Sequence, residues 1–212
     1  MSRLLRRALG HTRLYPAWKA LAHYPDYLWW LVRGRPQRTP HLVKQRAVLE
    51  YAWRFRLATL VETGTYYGEM IAATRRGFRR IYSIESDAGL AALARRRFRR
   101  FPQVEVLHGD SQFLLPYLLT RLGEACLFWL DAGYYGWEEQ VGKMDRLSVE
   151  LRAILGHPYP HVILLDDAHG VDGRGGAPTL AELIAALARD FPGRSFEVTH
   201  DILRICPATS LR

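Results

Sequence analysis

The sequence has no apolar run long enough to form a transmembrane helix. Its longest runs, Tyr27–Val32 and Ala125–Leu130, are far shorter than the roughly 18 residues that a bilayer requires. Cysteine is also scarce. Cys126 and Cys206 lie in apolar, strand-like stretches, where a free thiol behaves as a small buried hydrophobic group. These features favour a cytoplasmic protein, and the length and apolar content fit one domain with an appendage.

Acidic residues are almost absent from the first part of the chain. Residues 1–46 contain ten Arg and Lys side chains but one acid, Asp26, and so hold the whole net charge of +9. Residues 47–212 carry twenty basic and twenty acidic side chains. An anionic partner would therefore meet the N-terminal segment, and the neutral body argues against a nucleic-acid substrate.

The N-terminal segment combines an Arg-rich start with a cluster of aromatic residues, namely Tyr24, Tyr27, Trp29 and Trp30. This composition fits a helical cap on the main domain, an arm that binds a membrane surface or a partner, or a transit peptide. We expect residues 1–45 to form a helical appendage and residues 46–212 to form the main domain. If residues 1–40 are a separable arm, their deletion will leave the main domain folded.

From residue 59 onward, short β-branched and aromatic runs alternate with helical periodicity, as in βαβ units around a parallel sheet. The predicted strands are Thr59–Glu62, Arg80–Ile84, Val104–Leu107, Cys126–Leu130, Val162–Leu165, Ser195–Thr199 and Ile202–Ile205. The predicted helices are Gly68–Gly77, Asp87–Phe101, Ser111–Leu122, Trp137–Leu155 and Thr179–Phe191. Only two residues separate the last two strands, which indicates an antiparallel hairpin. The sequence therefore predicts an α/β fold of Rossmann-like type with a mostly parallel sheet, a C-terminal hairpin and an N-terminal helical appendage.

The first predicted strand leads into a glycine turn that opens a helix, Glu62-Thr63-Gly64-Thr65-Tyr66-Tyr67-Gly68. The second strand ends on Glu85, at the distance where an acid can accept hydrogen bonds from ribose hydroxyls. This is the layout of a nucleotide site. Tyr66 stands where a dinucleotide motif has its second glycine, and the carboxylate of Glu62 would repel a pyrophosphate. The ammonium and sulfonium groups of S-adenosylmethionine suit an acid at this point.

Two more motifs follow the third and fourth predicted strands, Gly109-Asp110-Ser111-Gln112 and Phe128-Trp129-Leu130-Asp131. With the turn and Glu85, they resemble the successive motifs of class I S-adenosylmethionine-dependent methyltransferases over about residues 45–207. The resemblance implies that the turn wraps the methionine moiety, that Glu85 binds the ribose and that the motif after the third strand borders the adenine. The cofactor-binding residues expected on these grounds are Glu62, Gly64, Thr65, Tyr66, Gly68, Glu85, Asp110, Ser111, Gln112 and Asp131.

The fifth predicted strand ends on a pair of acids, Asp166 and Asp167, at the same sheet edge as Asp131. Three carboxylates in a cleft suit a hard divalent cation such as Mg²⁺, which prefers oxygen ligands. The arrangement is similar to the metal site of the catechol-type and macrocin-type O-methyltransferases, and Tyr66 has a counterpart in the catechol type. Alternatively, Asp131 contacts only the cofactor, while Asp166 and Asp167 cap a helix or bind loop amides.

The catechol-type enzymes have a lysine three residues after the first metal-binding aspartate, where this sequence has Tyr134. The general base must therefore be another group. His169 follows the acid pair closely, and an imidazole can accept a proton near neutral pH. We expect His169 and Asp131 to be catalytic, although a lone histidine also occurs in purely structural roles.

These observations predict an enzyme that uses S-adenosylmethionine and Mg²⁺ to O-methylate a hydroxyl of a small molecule, such as a sugar or natural product. Three alternatives stay open: a metal-free methyltransferase, a nucleic-acid methyltransferase, and a non-catalytic protein that docks on a membrane or partner. The sequence after the fourth strand, Asp131-Ala132-Gly133-Tyr134, lacks the Asn/Asp-Pro-Pro-Tyr/Phe segment of base-methylating enzymes of this family. Acids at three strand ends favour an enzyme over a docking protein.

Overall fold

The computed structural model describes residues 25–34, 39–131, 140–173 and 178–208. Several residues discussed above lie outside the described residues, among them the Arg-rich start, Tyr24, Tyr134 and Trp137, where one of the predicted helices begins. No helix of the described part of the chain is both long and apolar enough to cross a membrane.

Seven strands form a single sheet in the order β3-β2-β1-β4-β5-β7-β6. They are β1 (Thr59–Thr63), β2 (Arg80–Glu85), β3 (Val104–His108), β4 (Leu127–Leu130), β5 (Val162–Leu165), β6 (Arg194–Thr199) and β7 (Ile202–Pro207). The first five are parallel, and β6 and β7 form an antiparallel hairpin that pairs with β5 through β7. The predicted α/β architecture, with five parallel strands and a terminal hairpin, is confirmed.

Helices cover both faces of the sheet. They are α1 (residues 25–32), α2 (His41–Arg54), α3 (Glu69–Thr74), α4 (Ala88–Phe98), α5 (Ser111–Leu119), α6 (Gln140–Leu155) and α7 (Leu180–Asp190). Helix α4 begins directly after Asp87, whose side chain accepts the Leu90 N–H and so satisfies one of the free amides of the first turn. Helix α2 spans the boundary expected between residues 45 and 46.

The core consists of two apolar layers, one on each face of the sheet. Helices α5, α6 and α7 contribute to one layer and α2, α3 and α4 to the other. Successive residues of β5 alternate between them: Ile163 and Leu165 face the first layer, Val162 and Leu164 the second. Cys126 and Cys206 are free and buried, as their apolar surroundings in the sequence predict.

Strand β1 lies between β2 and β4, so the chain turns to one side of β1 for β2 and β3 and to the other side for β4 and β5. In open α/β sheets, ligands bind at such a switch point, beyond the carboxyl ends of the strands. The predicted site residues follow the ends of β1, β2, β3, β4 and β5, and therefore all emerge along this edge.

A pair of histidines lies at the other end of the parallel strands, just before the first residue of β5. His161 is fully buried, its Nδ1 accepts the Cys126 N–H at 3.0 Å, and its Nε2 is 2.7 Å from Nδ1 of His157. Because Nδ1 of His161 is an acceptor, its proton is on Nε2. Burial, with smaller effects from the charges of His157 and Arg194, lowers the pKa of His161 to about 3.

This histidine should make the stability of the fold depend on pH. In the unfolded chain, this imidazole binds a proton when the pH falls below its ordinary pKa of about 6.5. In the folded chain, it does so only when the pH falls below about 3. The contribution of His161 is therefore complete above pH 6.5 and is lost at about 1.4 kcal/mol per pH unit as the pH falls towards 3. Urea unfolding of the wild type between pH 7.5 and 5 measures the slope.

The matched variant is His161→Asn, because the asparagine Oδ1 can accept the Cys126 N–H without titrating. We expect the variant to be less stable at pH 7.5 but to show a shallower decrease towards pH 5. Equal slopes for the two proteins would mean that His161 is protonated normally in the folded state.

Candidate functional site

The turn after β1 has the backbone of a ligand-binding loop. Gly64, Tyr66 and Gly68 have φ angles of 83°, 50° and 71°, a left-handed conformation that is easy for glycine and strained for tyrosine. The Gly64 N–H donates to the Ile84 carbonyl at 2.9 Å, which fastens the turn to the end of β2. The turn is thus held in a tight conformation in which its backbone can approach a ligand closely.

Glu85, at the end of β2, holds the turn through its carboxylate. One carboxylate oxygen accepts the Tyr66 N–H at 2.7 Å, and the other accepts the Asp87 N–H at 2.9 Å. Glu85 is buried, and each oxygen of its carboxylate therefore has a backbone amide as a partner. The predicted ribose-binding acid therefore also fixes the left-handed Tyr66.

Glu62 lies beneath the turn and is buried. The Ser83 hydroxyl donates to its carboxylate at 2.5 Å, and the Thr65 and Ser83 hydroxyls are 2.5 Å apart. Since the Ser83 hydrogen points to Glu62, Thr65 donates to Ser83, and the three side chains form a chain of hydrogen bonds. Burial raises the pKa of Glu62 to about 8, with added repulsion from Asp131 and Glu85. A positive group bound here would stabilise the ionised carboxylate.

Thr63, the last residue of β1, carries a buried hydroxyl with no hydrogen-bond partner in the described part of the chain. Buried polar atoms in proteins almost always have a partner. The hydroxyl lies between Glu62 and Gly64 in the sequence, at the start of the turn. A bound water molecule or a ligand is therefore expected to complete its hydrogen bonding.

The segment after β3 forms the beginning of α5. Asp110 caps this helix by accepting the Gln112 N–H at 2.9 Å, and the Ser111 hydroxyl donates to the buried Glu150 of α6 at 2.6 Å. The Gly109 N–H donates to the Glu85 carbonyl, which joins this segment to the residue that holds the turn after β1. The segment therefore lies beside the turn, as its place after β3 predicts.

Asp131, Asp166 and Asp167 come together at the ends of β4 and β5. Each offers a carboxylate oxygen, and these oxygens lie within 4.8 Å of one another. Burial and mutual repulsion raise the pKa of both Asp131 and Asp166. Asp167 has a left-handed φ of 47°, which turns the chain sharply after β5. The predicted convergence of the three acids is thus present in the structure.

Lys44 of α2 lies against two of these acids. Its Nζ is 2.5 Å from Oδ2 of Asp166 and 3.0 Å from Oδ1 of Asp167. Burial alone would lower the pKa of Lys44, but the attraction of Asp166 and Asp167 outweighs it and raises the pKa. This ammonium group, which no sequence motif indicates, partly neutralises the acid cluster.

His169, on the 3₁₀ turn Ala168–Gly170, is half-exposed beside the same cluster. Its Nδ1 is 2.5 Å from Oδ2 of Asp201, and its backbone N–H donates to Oδ1 at 2.8 Å. Asp201 belongs to the β6–β7 turn, and its buried carboxylate fixes both the ring and the main chain of His169. With the Nδ1 hydrogen directed to Asp201, Nε2 is the nitrogen that can accept a proton from a substrate.

The turn that carries Asp201 also contacts the N-terminal region. The Thr39 hydroxyl donates to the His200 carbonyl at 2.7 Å, and the buried Trp30 ring meets the His200 ring edge-on at 5.3 Å. Trp29, in contrast, is more than half exposed, at 55%. Part of the N-terminal segment therefore borders the acid side of the site.

Comparison with solved structures identifies the architecture. The described fold matches a Podospora anserina methyltransferase bound to S-adenosylhomocysteine (TM-score 0.60, 19% identity, 88% of this chain and 87% of that one). It also matches a Bacillus cereus O-methyltransferase in complex with S-adenosylhomocysteine (0.58, 18%, 77% and 80%) and the Streptomyces achromogenes O-methyltransferase TomG of tomaymycin synthesis with S-adenosylmethionine (0.57, 17%, 84% and 85%).

The protein has the Rossmann-like class I methyltransferase fold. At these identities, the likeness establishes the fold and leaves the activity to be argued from the site. No protein-family model matches the sequence, and no curated protein matches it significantly.

Proposed function

We propose that this protein is an S-adenosylmethionine-dependent methyltransferase that O-methylates a hydroxyl of a small molecule with the help of a divalent metal ion. One observation carries the proposal. A left-handed turn held by Glu85 and a cluster of three carboxylates lie along one edge of the sheet, at the ends of adjacent strands. A methyl donor and a metal-bound acceptor need such neighbouring sites.

The chain's own residues fit the donor. The Gly64–Gly68 turn presents its backbone to the methionine moiety, and Glu85 would accept hydrogen bonds from the ribose hydroxyls. The donor's positive charge suits the neighbourhood of Glu62, whose carboxylate is unfavourably buried without a cation. The Thr63 hydroxyl, unsatisfied within the described residues, would gain a partner. Asp110, Ser111 and Gln112 would border the adenine, and the solved neighbours described above bind this cofactor or its product.

The acid cluster fits a hard divalent cation. Asp131, Asp166 and Asp167 offer oxygen ligands, and a divalent ion would balance more negative charge there than the single ammonium group of Lys44 does. When bound, Mg²⁺ would supply Lewis-acid activation of the acceptor hydroxyl. Asp131 follows β4, whose neighbour β1 leads into the Gly64–Gly68 turn, here called the donor turn. Asp131 would therefore contact both the metal ion and the cofactor.

His169 is the residue proposed to take the proton of the acceptor hydroxyl. Asp201 orients the ring through its contact with Nδ1, so that Nε2 would face the acceptor hydroxyl. A neutral hydroxyl is a poor nucleophile, and a correctly placed base makes it a better one. The half-exposed position of His169 beside the cluster leaves it accessible to a substrate.

Two other functions have less support. A nucleic-acid substrate would require a basic surface around the site, but the residues gathered there are mostly acidic, and the net positive charge of the chain lies before residue 47. A docking protein without activity would not require the His169–Asp201 pair. A role of residues 1–40 in binding a membrane or partner, and a cytoplasmic location, stay predictions.

Binding of S-adenosylhomocysteine tests the donor site. We expect calorimetry to show binding by the wild type and an affinity lower by about tenfold to a hundredfold in Glu85→Ala. Loss of charge-assisted hydrogen bonds costs on the order of 1.5–3 kcal/mol, and the Tyr66 N–H loses its acceptor in the same variant.

The matched control is Asp87→Ala, which removes the cap of α4 and leaves the Glu85 carboxylate in place. This variant should lose about 1 kcal/mol of stability but keep the wild-type affinity for S-adenosylhomocysteine. Wild-type protein that binds NAD and not S-adenosylhomocysteine would overturn the proposed function.

A further inference from the structure

Lys44 reaches the acid cluster from a different part of the chain than the acids themselves. It lies on α2, whereas Asp166 and Asp167 follow β5, and the ammonium group bridges these two carboxylates. Its side chain is only 14% exposed and that of Asp166 only 1%. The bridge is therefore a largely buried ion pair, in which the carboxylates offered to a metal ion are also the partners of an amine.

Such a bridge has a clear electrostatic cause. Three neighbouring carboxylates repel one another, and burial strengthens the repulsion because water no longer screens it. An ammonium group that bonds two of them at once reduces this repulsion. Lys44 thus supplies one positive charge where the cluster as a whole could accommodate two or more.

A divalent cation bound by the same carboxylates would compete with this ammonium group. The ammonium group bonds Oδ2 of Asp166 and Oδ1 of Asp167, which belong to the carboxylates that would ligate the ion, and two cations at such short range repel each other. The lysine stem is flexible, with several rotatable bonds, so its ammonium group can leave the cluster without any movement of α2.

We propose that Lys44 is the internal counter-cation of the acid cluster and that a divalent ion binds by displacing its ammonium group from Asp166 and Asp167. This inference rests on the metal site of the proposed function. It explains why a buried lysine is present beside acids that have an excess of negative charge. The affinity for the metal ion then depends on Lys44 of α2 as well as on the three carboxylate ligands.

Metal binding without substrate tests the displacement. Binding of Mn²⁺ is measured by electron paramagnetic resonance of the free ion, with the full-length protein at mildly alkaline pH and no cofactor. We expect Lys44→Met to bind Mn²⁺ at least about tenfold more tightly than the wild type, because the competing charge is gone. In EDTA, Lys44→Met should melt at a lower temperature than the wild type, and Mn²⁺ should raise its melting temperature by more.

Two controls separate displacement from a general effect of charge. Lys44→Arg retains a competing cation and should bind Mn²⁺ as the wild type does. Arg46→Met removes a positive charge from the same helix, where the exposed Arg46 guanidinium stacks on Tyr27 and not on the acids. It should also leave the Mn²⁺ affinity unchanged.

Unchanged or weaker Mn²⁺ binding by Lys44→Met would overturn the inference. So would the absence of Mn²⁺ binding by both proteins at millimolar concentrations. In that case Lys44 would be a permanent substitute for the metal. Binding of S-adenosylhomocysteine, measured on the same samples, distinguishes this failure from failure of the methyltransferase proposal, because the donor turn and Glu85 do not contact Lys44.

Discussion

EDTA is expected to abolish methyl transfer and Mg²⁺ to restore it, while Asp167→Ala should lower kcat by about a hundredfold or more. The size follows from the several kcal/mol by which a Lewis acid stabilises a developing alkoxide, at about 1.4 kcal/mol for each factor of ten. Affinity for S-adenosylhomocysteine should remain unchanged, because Asp167 lies after β5 and Glu85 and the donor turn follow β2 and β1. Release of S-adenosylhomocysteine in the presence of a panel of vicinal diols measures turnover.

The side chain of Asp167 is partly exposed, so its loss should not unfold the protein, but its left-handed φ of 47° is strained for alanine. Asp167→Asn is the matched control, because asparagine tolerates this conformation and its carbonyl oxygen remains a ligand for hard cations. It should retain most of the activity. Full turnover in EDTA, or normal turnover in the Asp166→Ala/Asp167→Ala double variant, would rule out the metal and leave a mechanism based on His169.

The sheet and its edge could be predicted from the sequence because each of the five parallel strands is a short run with β-branched or aromatic residues, and polar residues stand at or after its end. In a parallel sheet, residues that follow the strands must emerge on one side. This rule was sufficient to predict that Asp131 lies near Asp166 and Asp167, although 35 positions separate Asp131 from Asp166 in the sequence. The parts of the site that depend only on where the strands end could therefore be predicted from the sequence.

The predicted helix ends were less accurate, because the apolar spacing of the sequence continues beyond the last helical residue. The predictions extended α4 to Phe101 and α5 to Leu122, whereas the helices end at Phe98 and Leu119. Phe101 and Leu122 continue the apolar spacing and pack on the core, but their N–H groups bond to carbonyls three residues back. A residue can thus be part of the apolar face without being part of the helix.

Lys44 and Asp201 were missed for different reasons. The position of α2 depends on tertiary packing, and no local pattern indicates that Lys44 faces the acids. Asp201 could have been found, because a hairpin next to β5 brings its two-residue turn to the carboxyl end of that strand. The left-handed φ angles of His200 and Asp201, 51° and 59°, are those of the tight turn that this spacing requires.

Gly68→Ala is expected to lower the free energy of unfolding by about 2–5 kcal/mol and to weaken binding of S-adenosylhomocysteine by at least about tenfold. Gly68 has a φ of 71°, and a Cβ there would lie 2.4 Å from Cε2 of Phe98. The left-handed backbone costs about 1–2 kcal/mol and overpacking about 1–3 kcal/mol. Phe98 is buried in the core and cannot move aside easily, so the donor turn must shift instead. Urea unfolding and calorimetry measure the two effects.

Two further variants separate backbone strain from the steric clash. Gly34 has a similar φ of 73°, but a Cβ there would meet nothing within 4 Å, so Gly34→Ala shows the effect of strain alone and should leave cofactor binding unchanged. Phe98→Leu removes the ring that the added methyl group would strike. In a double-mutant cycle, Gly68→Ala should therefore be less destabilising in the Phe98→Leu background than in the wild type. Equal losses in both backgrounds would show that the clash with Phe98 does not position the turn, and an unchanged affinity in Gly68→Ala would mean that this turn is not part of the donor site.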